Sequence, residues 1–95
     1  MPRVMIRGVS FFQEIMESRE IEMEVRGGST VESLLAELDS TFGGRLSKRL
    51  YNEDGSINNK VRVFLNGRDI CFLGGKSVPL SEGDIILLLP ILAGG

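Results

Sequence analysis

The sequence has no histidine, no tryptophan and one cysteine, Cys71, among its 95 residues. Zinc sites draw mainly on cysteine and histidine ligands, and iron–sulfur clusters need about four thiolates. We therefore expect no metal site. Cys71 lies between Ile70 and Phe72 without a cationic neighbour. Because buried cysteines behave as small apolar residues, we expect Cys71 to be a structural residue of a strand and not a nucleophile.

Concentrated charge and long apolar runs near the start are also missing. The net charge is -2 and the basic residues are scattered, so no surface for a phosphate backbone is expected. The first twelve residues interleave Arg3 and Arg7 with apolar residues and lack the apolar core of a signal sequence. Together with the single thiol, these features predict a cytoplasmic protein whose partners include neither nucleic acid nor a membrane.

The composition that is present, 42% hydrophobic and 25% charged, is that of an ordinary globular protein. A chain of this length predicts one domain over residues 1–95. Residues 3–9 are rich in β-branched and apolar residues, and residues 20–26 alternate between apolar and charged, which predicts two strands. The connection over residues 11–19 is either a loop or a short helical turn.

A helix follows the second strand. Ser29 and Glu32 have the spacing of a capping box, in which each side chain satisfies a backbone N–H of the first turn. The next apolar residues fall on one helical face: Val31, Leu34, Leu35, Leu38 and Phe42. Gly43 and Gly44 supply a left-handed stop, so the pattern predicts an amphipathic helix that packs on a sheet.

In the second half, residues 45–51 are a candidate helical turn and residues 52–59 a surface loop. Strands are predicted over residues 61–65, 68–73 and 85–89. Asn66 and Gly67 are the pair favoured in a type I′ hairpin. Two strands, a helix and three strands predict an α+β, β-grasp (ubiquitin-like) fold. We expect a mixed sheet of four to five strands with the helix on one face and the last strand beside the first.

The chain ends in Gly94-Gly95, and this pair has no turn or cap to form. Pro90 lacks a backbone N–H and is expected to end the last strand, so that residues 91–95 protrude as a tail. Glycines allow a backbone to enter a narrow channel and to turn its carboxylate toward a reacting group. The alternative is a frayed terminus without chemistry.

Several segments together resemble one family, the MoaD/ThiS sulfur carriers. They are the first strand, the helix start, the Asn66-Gly67 hairpin, the Gly83-Asp84 turn and the Leu89-Pro90-Ile-Leu-Ala-Gly94-Gly95 end. The resemblance covers essentially the whole chain, and its length and its loop at residues 52–59 are most similar to the small subunit of molybdopterin synthase. Ile91 differs, since many members carry a second proline there, and residues 8–12 match poorly.

The resemblance implies a chemistry at Gly95. An E1-like adenylyltransferase would attach AMP from ATP to the Gly95 carboxylate, and a sulfur donor would then displace AMP to leave a thiocarboxylate. Gly94 and Ala93 would occupy the channel of that enzyme. The chain itself would hold no permanent cofactor and would not be a stand-alone enzyme. It would be the small subunit that delivers sulfur to the large subunit of molybdopterin synthase or to another acceptor.

A partner surface is predicted on the sheet. Arg7 is hard to bury, so Met5, Arg7 and Val9 should face away from the helix, while Val4 and Ile6 should face it. In the family the residue before the tail proline lies on the partner side, which corresponds to Leu89 and, by the period of two, to Leu87. The alternative is that both leucines pack under loops.

Three functional hypotheses remain open. The first is a sulfur carrier for molybdenum cofactor synthesis. The second is a ubiquitin-like modifier that is joined through Gly95 to lysines of other proteins. The third is an interaction module without tail chemistry.

Overall fold

The computed structural model describes residues 1–91. It contains five strands: β1 (Arg3–Gly8), β2 (Glu20–Glu24), β3 (Val61–Leu65), β4 (Arg68–Asp69) and β5 (Ile85–Pro90). The three α-helices are α1 (Phe11–Met16), α2 (Val31–Thr41) and α3 (Arg45–Leu50). Two short 3₁₀ turns cover Ile70–Phe72 and Gly75–Ser77. Within residues 1–91, no helix has the length and apolar character needed to cross a membrane.

The strands form one mixed sheet in the order β2-β1-β5-β3-β4. Strands β1 and β5 pair in parallel at the centre, and the other pairs are antiparallel. The β-grasp prediction, including the last strand beside the first, is therefore confirmed.

The core lies between α2 and one face of the sheet. The predicted stripe on α2 is buried at Val31, Leu34, Leu35 and Leu38, and Phe42 packs half-buried at the end of the helix. The sheet side of this core comprises Val4, Ile6, Val61, Val63, Ile86 and Leu88. Strands β1, β3 and β5 bury alternate residues, as the period of two requires, whereas Ile21 and Met23 of β2 are half-buried.

The capping box starts one residue later than the sequence indicates. The Ser33 N–H donates to Thr30 Oγ1 at 3.2 Å, and the Thr30 N–H donates to Ser33 Oγ at 2.9 Å. Ser29 and Glu32 do not form the reciprocal pair, so that prediction is wrong. Two overlapping residue pairs, Ser29 with Glu32 and Thr30 with Ser33, have side-chain oxygens at the spacing of a capping box. The second pair forms it because Thr30 has the extended backbone that an N-cap needs.

The connection after β1 is a helix, α1, which the sequence left open. Gly8 at the end of β1 lies against this helix, where a β-carbon would stand 3.0 Å from Phe12 Cβ. The close approach buries Phe12 and Met16 beneath α1. The connection thus adds two side chains to the core.

The hairpin at Asn66-Gly67 is confirmed, since both residues have positive φ, 52° and 86°. The return strand, by contrast, is only Arg68–Asp69. The Asp69 carboxylate accepts the Cys71 N–H at 3.0 Å and starts a 3₁₀ turn. Cys71 is therefore exposed, and the prediction that it lies buried in a strand is wrong.

Candidate functional site

Strand β5 divides its side chains between two environments. Ile86 and Leu88 are fully buried in the core, whereas Ile85, Leu87 and Leu89 are half-buried on the other face of the sheet. No helix covers this second face in the part of the chain described. We call it the open face.

The sequence placed Met5, Arg7, Leu87 and Leu89 on one side, and the structure brings them together on the open face. Met5 lies opposite Ile85, and Arg7 lies opposite Leu87, across the central parallel pair. Val4 and Ile6 point into the core, as expected. A role for the four residues in partner binding stays a prediction.

Sequence reasoning missed Phe64 and Arg62 of β3. Phe64 pairs with Leu87, and Arg62 pairs with Leu89. The alternation of β3 already indicated that both face away from Val61 and Val63. Only the register of β3 against β5 shows that they flank the two leucines.

A hollow of about 630 Å³ lies in the open face. It is lined by Arg7, Phe64, Asn66, Gly67, Ile85, Leu87 and Leu89. Its floor is apolar, and its charged lining residue is Arg7. An exposed apolar surface with a polar border is typical of a protein–protein contact.

Ion pairs border the apolar centre on both sides. Arg7 Nε lies 3.3 Å from Glu20 Oε2 towards β2, and Arg62 Nε lies 3.4 Å from Asp69 Oδ2 towards β4. Arg7 and Glu20 are both exposed, and exposed pairs stabilise a fold by about 0–1 kcal/mol, whereas Asp69 is largely buried. Their main effect is to hold the side chains in place at the border of the open face.

The strand that carries Leu87 and Leu89 leads directly to the chain end. Pro90 is its last residue, as predicted, but the next residue is still attached, because the Ile91 N–H donates to the Lys60 carbonyl at 2.7 Å. The predicted reactive and channel residues Gly95, Gly94 and Ala93 lie outside the described residues. The last backbone contact described, from Ile91 to Lys60, lies at the end of β5.

Cys71 is exposed but poorly suited to act as a nucleophile. A hydrogen bond to the Asp69 carboxylate is the main cause that raises the pKa of the Cys71 thiol, and desolvation and the Asp69 charge act in the same direction. A raised pKa lowers the fraction of reactive thiolate at neutral pH. The geometry thus gives a different reason for the inertness that the sequence predicted.

The chain is similar to known proteins in sequence and in fold. The ThiS family model matches residues 9–95. Small archaeal modifier protein 3 of Haloferax volcanii is 33% identical over 90 residues, which cover 95% of this chain and 96% of the relative. Sulfur carrier protein CysO of Mycobacterium tuberculosis is 30% identical over 70 residues, which cover 72% of this chain and 74% of CysO.

Among solved structures, a chain in the crystal structure of the Amycolatopsis orientalis BexX/CysO complex superposes with a TM-score of 0.79 and 25% identity. The match covers 97% of this chain and 99% of that chain. The protein belongs to the ThiS family of ubiquitin-like sulfur carriers and modifiers. The predicted MoaD/ThiS resemblance is confirmed at the level of the family, while the molybdopterin branch is not singled out by these relatives.

Proposed function

We propose that this chain is a sulfur carrier that works through the carboxylate of Gly95. The observation that carries the proposal is the position of β5, which presents Leu87 and Leu89 on the open face and is followed in the sequence by residues 91–95 alone. An enzyme that covers the open face is therefore also beside the end of β5, from which these residues follow. Family membership over residues 9–95 supports the same role.

The reaction has two steps, and an E1-like adenylyltransferase supplies the ATP site for the first. A Gly95 carboxylate oxygen attacks the α-phosphorus of ATP, pyrophosphate leaves, and an acyl-adenylate forms. A sulfide nucleophile then attacks the acyl carbon, AMP leaves, and a thiocarboxylate results directly. If the nucleophile is instead the outer sulfur of a donor persulfide, an acyl disulfide forms, and a second thiol cleaves it by forming a disulfide with the donor sulfur, which releases the thiocarboxylate. Gly94 and Ala93 permit entry into the channel because they have small side chains or none. Leu87, Leu89, Met5 and Arg7 provide the recognition surface.

The acceptor that we propose is the large subunit of molybdopterin synthase, with this chain as the small subunit. The support is the resemblance in length and in the loop at residues 52–59 to that branch of the family. The relatives named above leave the acceptor open. Adenylation needs ATP, so the proposed place of action is the cytoplasm.

A second candidate function is protein modification through the same tail. The observation in its favour is the 33% identity to a protein named as a small archaeal modifier over 95% of this chain. Here a lysine amine would displace AMP and form an amide with Gly95. Both functions share the first step, so they differ only in the nucleophile that follows.

Mass spectrometry of cell extracts separates the two. Cells would express an N-terminally tagged native chain or a matched variant that ends at Ala93. A free chain with one oxygen replaced by sulfur supports the carrier, and branched peptides that join Gly95 to lysine support the modifier. If the native chain gave neither product, both would be rejected and an interaction module without tail chemistry would remain.

A further inference from the structure

The arginines of the open face differ in how many partners their guanidinium groups have within the domain. Arg62 pairs with Asp69, and its Nη1 also donates to the carbonyls of Asn59 and Val61 at 3.4 Å each. Arg3 lies 3.7 Å from both Glu22 and Glu24. Both groups are therefore engaged at more than one point by their own domain.

Arg7 is engaged on one edge only. Its Nε donates to Glu20 Oε2 at 3.3 Å, and within residues 1–91 its two terminal nitrogens donate no hydrogen bond. The side chain is 51% exposed and lines the hollow together with Phe64 and Leu87. Glu20 thus fixes the guanidinium plane while the terminal fork remains in contact with solvent.

A partner that covers this hollow removes water from Arg7. The terminal N–H groups then lose their hydrogen bonds to water, and a buried guanidinium without new acceptors is strongly unfavourable. A carboxylate satisfies both terminal nitrogens at once, because its two oxygens match the guanidinium fork. The hollow therefore favours a carboxylate beside the apolar group that fills it.

We infer that Arg7 selects the activating enzyme, by pairing its terminal nitrogens with a carboxylate next to an apolar side chain that sits over Leu87 and Phe64. This inference rests on the proposed function and adds the chemistry of the partner surface. Arg7 acts here as a specificity residue and does not touch the reacting atoms at Gly95. Glu20 is a positioning residue that holds the Nε edge.

The test measures the dissociation constant between the labelled full-length chain and the purified enzyme that adenylates it. Arg7→Gln removes the charge at similar length, Arg7→Lys keeps the charge without the fork, and Arg7→Glu reverses it. The matched control is Arg26→Glu, the same reversal at an exposed residue outside the hollow. We expect Kd to rise about tenfold or more for Arg7→Glu, less for Arg7→Lys, and less than about twofold for the control.

A charge exchange completes the test. The acidic residue of the enzyme that pairs with Arg7 would be changed to arginine. This change should weaken binding of the native chain and restore binding of Arg7→Glu. Circular dichroism shows whether each variant is folded. If Arg7→Glu does not fold, Arg7→Gln takes its place in the binding measurement. If the native chain is adenylated and the Arg7 variants bind as tightly as it does, the inference is overturned and the proposed function stands. If no enzyme adenylates the native chain, both are overturned.

Discussion

Gly8 and Phe12 approach so closely that a β-carbon at position 8 would lie 3.0 Å from Phe12 Cβ and 3.2 Å from the Phe12 carbonyl carbon. Backbone cannot move aside as a flexible side chain does, so Gly8→Ala should push α1 away from β1. We expect a loss of about 1–3 kcal/mol in the free energy of unfolding. Urea denaturation of the variant and the native chain measures it.

Gly27→Ala is the matched control, because a β-carbon there meets nothing within 4 Å. Its unfolding free energy should stay within about 0.5 kcal/mol of the native value. Equal stability of both variants would show that α1 does not pack on Gly8 as described.

The start of α2 gives a second matched pair. Thr30→Ala removes the oxygen that accepts the Ser33 N–H and should cost about 1 kcal/mol of stability. Ser29→Ala removes a hydroxyl outside the capping box and should cost less than about 0.5 kcal/mol. Chemical denaturation measures the unfolding free energy of both variants. A larger loss for Ser29→Ala would show that Ser29 is the N-cap, as the sequence indicated.

These cases show how far the sequence determines the fold. The helix α2 was predictable because an apolar stripe over several turns has one solution. Strand β5 is a continuous apolar run without such a pattern, so its two faces were inferred from the family resemblance and the period of two. The return strand after Gly67 was predicted too long, since apolar residues there resemble a strand. A hydrogen bond from the Cys71 N–H to the Asp69 carboxylate instead starts a 3₁₀ turn, which ends the strand at Asp69.

The candidate site was predictable in part. The cost of burying Arg7 indicated the outer face of β1, and the family resemblance with the period of two indicated Leu89 and Leu87, but contacts between strands depend on register. The pairing of Phe64 with Leu87 and of Arg7 with Glu20 joins residues far apart in sequence, and no local pattern shows it. The Gly94-Gly95 end was found from the sequence alone, and its role stays a prediction.

Substitution of leucine by aspartate should have different outcomes in the core and on the open face. Leu35→Asp would bury an unpaired charge in the core and should unfold the domain. Leu89→Asp changes a half-buried residue of the open face, so the fold should persist while binding to the activating enzyme falls. Circular dichroism and a pull-down measure the two effects. Unfolding by Leu89→Asp as complete as that by Leu35→Asp would place Leu89 in the core.

The thiol of Cys71 should react slowly despite its exposure. Because Asp69 raises its pKa, the rate of alkylation by iodoacetamide should reach its midpoint at a higher pH than for free cysteine. Asp69→Asn should lower that midpoint. Cys71→Ala should change stability by less than about 0.5 kcal/mol and leave sulfur transfer intact. A midpoint at or below that of free cysteine, or loss of transfer in folded Cys71→Ala, would contradict this description.

The central claim is that the Gly95 carboxylate is the reactive group, and intact-mass measurement after thiolation tests it most directly. The native chain, a variant lacking Gly94 and Gly95, and a variant with one residue added after Gly95 would each be incubated with the activating enzyme, ATP and a sulfur source. Thermal stability should be equal in all three, because these changes lie beyond the last described contact, from Ile91 to Lys60. We predict that the native chain alone exchanges one oxygen for sulfur. Thiolation of the extended chain to the same degree, without trimming back to Gly95, would contradict the account.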